Sequence, residues 1–170
     1  PGAMKESRKV ISRWDGAGDG RISVRIEASL VSQCTDEMIK ATKALAKEHG
    51  IGWAIHHQER LGASMADPRR GDPGLDEFEG RAIEYLDRLG VLDPASLLVH
   101  STFADDEEID ILARTGAAVA HCPVANAWGG RPQITAVPSM LRAGVTVGLG
   151  TDGALTNDSQ DLFQAMKFCA

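Results

Sequence analysis

The chain has no run of about eighteen apolar residues, so no membrane-spanning helix is expected. No secretory leader is expected either: Lys5, Glu6, Ser7, Arg8 and Lys9 follow Met4 directly, with no apolar stretch behind them. The three cysteines (Cys34, Cys122 and Cys169) are an odd number at long spacings. That pattern excludes a disulfide framework and a Cys-x-x-Cys metal site, and it suits a reducing cytoplasm. Aromatic residues make up 5% of the chain, and lysines and arginines are scattered through a net charge of −6, which is unlike a nucleic-acid-binding surface. No Gly-x-Gly-x-x-Gly follows the first strand and no P-loop is present, which weakens the case for an open, doubly wound sheet. What is there, 170 residues at 43% hydrophobic and 25% charged, is ordinary globular sequence, long enough to bury a core.

Short β-branched or apolar runs alternate with helical patterns, the mark of an α/β parallel sheet. An amphipathic stretch over 4–14 leads through a Gly/Asp turn at 15–20 to an alternating run over 21–27 that reads as a strand. A helix follows with Thr35 as N-cap, Asp36 and Glu37 in its first turn, and Gly50 at its end. Its apolar side is expected to be Met38, Ile39, Ala41, Leu45 and Ala46. Further strands are expected over 51–57, 96–100, 117–121 and 145–150, and helices over 75–89, 105–115 and 137–142. The 75–89 helix carries Leu75, Phe78, Ala82, Ile83, Leu86 and Leu89 on its apolar side and stops at Gly90. The connection before 137 reads as a Pro/Gly-rich loop. A (β/α) barrel needs eight strand–helix units and typically about 250 residues, so the five units in this chain fill only part of one. Residues 161–168 read as a helix with no C-cap, and the chain is expected to be a piece of a longer protein.

Of the five histidines, His49 lies near a helix C-terminus, where it suits the dipole and reads as structural. His56, His57, His100 and His121 fall at the ends of three successive predicted strands, and the C-terminal ends of barrel strands form the active-site face. Asp152 takes the matching place after the last strand. An acid in Thr151-Asp152-Gly153 alone reads as an Asx turn or a helix N-cap; convergence with the histidine-bearing strand ends points to a functional site instead. His56-x-x-Glu59 sets a carboxylate beside a candidate ligand. There it can accept and return the proton of a water whose pKa zinc or iron lowers from 15.7 towards about 7. His57, adjacent to His56 in a strand, points the other way and reads as structural. The run Asp105-Asp106-Glu107-Glu108 reads as the acidic start of a helix, and Trp14, Trp53 and Trp128 as packing or pocket-wall residues.

Several stretches carry a resemblance. Leu97-Leu98-Val99-His100 with Asp105-Asp106-Glu107-Glu108-Ile109, and the run from Thr115 to Ala120 with His121-Cys122-Pro123-Val124-Ala125-Asn126, resemble strands six and seven of a family barrel. Ala143 to Gly153, with Asn157-Asp158 beyond, resembles its strand eight, and His56-x-x-Glu59 its strand five. The family is the amidohydrolase superfamily of metal-dependent hydrolases, on the branch containing cytosine and guanine deaminases and triazine hydrolases. The resemblance implies an α/β fold, a partial TIM-like barrel spanning 1–170 with its N-terminal strands and its small C-terminal β domain missing.

It also implies roles. His56 and Asp152 are similar to the metal ligands of strands five and eight, Glu59 to the general acid/base, and His100 to the histidine that orients substrate or attacking water. His121 and Asn126 are expected to line the substrate pocket. The implied cofactor is one divalent metal ion, zinc or else iron. The implied reaction is hydrolysis of a C–N bond on an N-heterocycle of purine, pyrimidine or triazine type, with hydrolytic dechlorination of a triazine as a variant. A non-catalytic truncated barrel kept as a binding module is the other reading. Relatives of this kind imply a homo-oligomer at full length, acting on a small heterocyclic substrate, with neither nucleic acid nor membrane as partner. The family's strand-one His-x-His is absent from this chain, so the piece alone is expected to be inactive. Where members acting on adenosine-type thioethers carry Pro-His on strand four, this chain has Ala28-Ser29.

Overall fold

Thr35 starts helix α2 (Asp36–His49) by accepting a hydrogen bond from the Met38 amide at 3.3 Å, and Gly50, left-handed at φ 66, ends it. Asp105 and Gly116 (φ 73) bracket helix α4 (Asp106–Thr115) in the same way. The computed structural model describes residues 2–57, 81–128 and 134–169. Around these two helices run α1 (Gly2–Trp14), β1 (Arg25–Leu30), β2 (Gly52–His57), α3 (Ala82–Arg88), β3 (Ser96–His100), β4 (Ala118–His121), α5 (Pro123–Trp128), α6 (Val137–Arg142), β5 (Val147–Leu149) and α7 (Leu162–Cys169). Among the described residues no helix is long and apolar enough to cross a membrane.

All strand pairings are parallel and the sheet order is β1-β2-β3-β4-β5, the order of the chain itself. A doubly wound sheet reverses direction at a switch point; this one does not, and it follows the arc of a barrel. Helix α2 lies on β1 and β2, α3 on α4, and α4 on α6. Trp53, Ile55, Leu98 and Val119 of the strands meet Ile39, Leu45, Ile83, Leu86, Leu112 and Met140 of the helices in one core.

Some boundaries differ from the expectation. Residues 21–24 are not strand: Ile22 exchanges backbone hydrogen bonds with Gly16 and Ala17, and the Val24 amide donates to Asp15, so the turn keeps these groups from the sheet. The strand runs instead to Leu30. Part of the expected loop after β4 is helix α5, opened by Pro123, whose missing amide costs nothing at a first helical position. Of the expected 75–89 helix, Leu75 and Phe78 lie outside the described residues, while Ala82, Ile83 and Leu86 are buried as expected.

The buried side of α2 is also rotated from the expected one. Met38 is 45% exposed and Ala41 is exposed, whereas Thr42 and Lys43 are buried with Ile39, Leu45 and Ala46. Polar residues can take this side because each finds a partner. Lys43 Nζ lies 2.6 Å from Asp93 Oδ1 and donates to Ser96 Oγ at 2.8 Å, while Trp53 Nε1 donates to Thr42 Oγ1 at 3.1 Å.

Glu108 shows why the acidic run is more than a helix start. It is 1% exposed, and its Oε1 accepts from the Ile83 amide at 2.8 Å and the Glu84 amide at 3.4 Å, capping the neighbouring helix α3. Glu108→Ala leaves buried amides without this acceptor and is expected to lower the unfolding free energy in urea by about 2–3 kcal/mol. Glu108→Gln keeps an acceptor oxygen and is expected to cost about 1 kcal/mol. Equal stability of Glu108→Ala and wild type would contradict this capping role.

Candidate metal centre at the strand ends

Side chains from the C-terminal ends of β2, β3 and β5 converge. One donor atom each from His56, His100 and Asp152 lies within 4.8 Å of the other two. The His56 and His100 rings are 5.4 Å apart between centroids and inclined at 53°. Two neutral nitrogens and an anionic oxygen are a donor set that fits a divalent cation.

The backbone makes this convergence possible. Register pairs His100 with His57, not with His56. His100 takes φ 78, Ser101 φ 48 and Asp152 φ 59, left-handed values that break the strand alternation at the points where these side chains leave the sheet. Such conformations cost of order 1 kcal/mol each and persist where the surroundings hold them. At Asp152 the hold is visible: Oδ1 accepts from the Gly153 amide at 2.7 Å, Oδ2 from Thr156 Oγ1 at 2.9 Å, and the backbone carbonyl from Gln160 Nε2 at 2.7 Å. Both carboxylate oxygens of Asp152 are thus held by its own loop, while one of them lies within 4.8 Å of donor atoms of His56 and His100. Just before Asp152, a Cβ on Gly150 would sit 2.8 Å from Cys122 Sγ, so only glycine lets β5 pass this close to β4.

Asn126 was expected to line a substrate pocket. Its Oδ1 meets His100 Nδ1 at 2.9 Å, and its Nδ2 donates to Thr135 Oγ1 at 3.4 Å, which sets the amide's orientation. The His100 Nδ1–H then donates to Asn126, a tautomer that places the lone pair on Nε2. Asn126 and His121 also share a cavity of about 200 Å³ with Pro123, Ala127, Thr135 and Phe168. His121 stands outside the metal-type cluster, and burial, helped by His100 nearby, holds its imidazole below the usual histidine range. Glu59 lies outside the described residues.

His57 turns away from the centre, as expected. It is 2% exposed and its Nε2 meets Ser101 Oγ at 2.9 Å. Burial, with smaller contributions from His100 and His56, pushes its pKa down to about 3. A depressed imidazole contributes stability that is fully present above the unfolded value near 6.5 and is lost as pH falls towards about 3. With a chelator present, urea unfolding is therefore expected to weaken below pH 6.5, by up to about 1.4 kcal/mol per pH unit from this group. His57→Gln is expected to flatten that slope, and an unchanged slope would contradict the assignment.

Glu27 is the residue that sequence reasoning passed over. Its carboxylate Oε1 lies 2.5 Å from His56 Nδ1. A signal was present: Glu27 ends the first expected strand, the place where the other strands carry His56, His100, His121 and Asp152. Thr156 and Gln160, which hold Asp152, had no comparable signal.

Comparison with known proteins gives the family and the fold. The amidohydrolase family pattern matches residues 2–170. Over 170 residues the chain is 35% identical to a 5-methylthioadenosine/S-adenosylhomocysteine deaminase of Haloarcula marismortui, a match covering 98% of this chain and 37% of that protein. It is 36% identical over 167 residues to a 5'-deoxyadenosine deaminase of Methanothermobacter thermautotrophicus, covering 96% and 36%. The fold is similar to that of a zinc-bound adenosine deaminase from Xanthomonas campestris, with a TM-score of 0.82 at 22% identity over 98% of this chain and 36% of that one. It is also similar to an atrazine chlorohydrolase from Arthrobacter aurescens complexed with zinc, with a TM-score of 0.73 at 24% identity over 92% and 33%. The chain spans little more than a third of the length of the curated relatives it matches. It belongs to the amidohydrolase family.

Proposed function

We propose that this amidohydrolase contributes residues 1–170 to a larger barrel and, in the full-length protein, deaminates an N-heterocycle hydrolytically with one divalent metal, zinc. The observation that carries the reading is the convergence of His56, His100 and Asp152 from three different strand ends. His56 and Asp152 are the ligands this chain supplies. When bound, the cation acidifies a water and polarises the reacting C–N centre.

The chain's own residues do the rest. Glu59 takes a proton from the attacking water and passes it to the ring nitrogen; it then takes the adduct's remaining hydroxyl proton and delivers it to the amine, so that the C=O bond forms as the C–N bond breaks. The balance is water plus an aminated ring carbon giving a carbonyl and ammonia. His100, fixed through Nδ1 by Asn126, turns Nε2 to the attacking water and orients it. His121 and Asn126 border the cavity where the heterocycle rests. The names of the relatives favour an aminopurine nucleoside within this substrate class.

The test is ammonia release by the zinc-loaded full-length protein, offered 5'-deoxyadenosine, 5-methylthioadenosine, cytosine, guanine and aminotriazines. Chelator-sensitive ammonia release from one of them is expected. Chloride release from a chlorotriazine, with no ammonia from any amine, would favour the dechlorinating variant, which the Ala28-Ser29 pair in place of Pro-His also allows. Neither product at any metal loading would leave the binding-module reading.

A further inference from the structure

Glu27 and His56 sit on neighbouring strands in a fixed relation. Register places Glu27 opposite Ala54, two residues before His56, so Glu27, Ala54 and His56 share one face of the sheet. Between Glu27 and Leu30 the pairing of β1 with β2 becomes irregular, and Ser29 takes φ 68. Such an irregularity bends a strand and re-aims its side chains. Here it ends β1 with the Glu27 carboxylate 2.5 Å from His56 Nδ1. Among the described residues, His56 is the only ion-pairing partner of Glu27.

As a source of stability this contact counts for little, because the Glu27 side chain is 47% exposed and exposed pairs are screened. Its effect falls on the ring. A histidine that ligates a metal through one nitrogen needs the other held, and a carboxylate accepting that N–H fixes both tautomer and orientation. We propose that Glu27 is a positioning residue of the metal centre: it accepts a hydrogen bond from His56 Nδ1 and so presents His56 Nε2 to the cation. This rests on the metal-hydrolase reading of the site and adds a member to it that the family resemblance did not supply. Glu27 acts through His56 and touches neither cation nor substrate.

The test measures zinc affinity of the full-length protein against a competing chelating dye, for wild type, Glu27→Ala, Glu27→Gln and His56→Ala. Glu27→Ala is expected to weaken zinc binding by about 10- to 100-fold with the metal-free melting temperature unchanged. Glu27→Gln, whose amide oxygen still accepts from Nδ1–H, is expected to recover most of that loss. Nitrogen-15 NMR of the zinc form should show His56 with Nδ1 protonated and Nε2 bound to metal. Unchanged affinity in Glu27→Ala, a loss in Glu27→Gln as large as in Glu27→Ala, or a metal-bound Nδ1 would each overturn the proposal. If zinc binding is lost in His56→Ala but not in Glu27→Ala, the positioning role alone fails. If it survives His56→Ala unchanged, the metal-hydrolase reading fails and takes this proposal with it.

Discussion

His56→Ala and Asp152→Ala are each expected to strip the full-length protein of most of its metal and to lower kcat/KM by about 10³-fold or more. The size follows from what the cation supplies. Several kcal/mol of transition-state stabilisation are at stake, and each 1.36 kcal/mol is about tenfold in rate. The two residues reach the centre from different strands, β2 and the loop after β5, so a shared folding defect does not explain a shared loss. His57→Gln is the control. Its ring faces Ser101, and the variant is expected to keep metal and activity while altering acid stability. Metal content by plasma spectrometry, read beside turnover, separates these outcomes. Retention of full metal occupancy in both alanine variants would remove them as ligands.

Glu59→Gln is expected to do the opposite to metal and the same to turnover. The amide matches the carboxylate in size but carries no transferable proton. Positioned general acid–base groups are worth about 10²–10⁴-fold, so kcat should fall by that factor while zinc content and KM stay near wild type. Loss of metal together with activity would make Glu59 a ligand, not a proton carrier. Activity near wild type would leave the proton transfers to another group.

Much of this arrangement could be read from the residues. Thr35, Gly50, Asp105 and Gly116 fixed two helices because capping is local chemistry, visible within four residues of sequence. The placement of His56, His100 and Asp152 was legible because a barrel sends every strand's C-terminal end to one rim. What escaped was set by tertiary partners. The inward turn of Lys43 depends on Asp93 and Ser96, about fifty residues away, and an apolar periodicity cannot register that. The capping of α3 by Glu108 crosses from one helix to the next. Asn126 was expected beside the pocket through the family resemblance; that its amide also meets His100 Nδ1 depends on helix α5, which was read as loop. Glu27 needed the β1–β2 register and its irregularity, which no strand pattern contains.

The most direct test is anomalous X-ray scattering from crystals of the full-length protein, recorded on both sides of the zinc absorption edge. The expected result is one zinc peak bonded to His56 and Asp152 at about 2.0–2.2 Å, with Glu27 on the far side of the His56 ring. Absence of a peak at these strand ends in zinc-loaded crystals, or a peak bonded to neither His56 nor Asp152, would contradict the account.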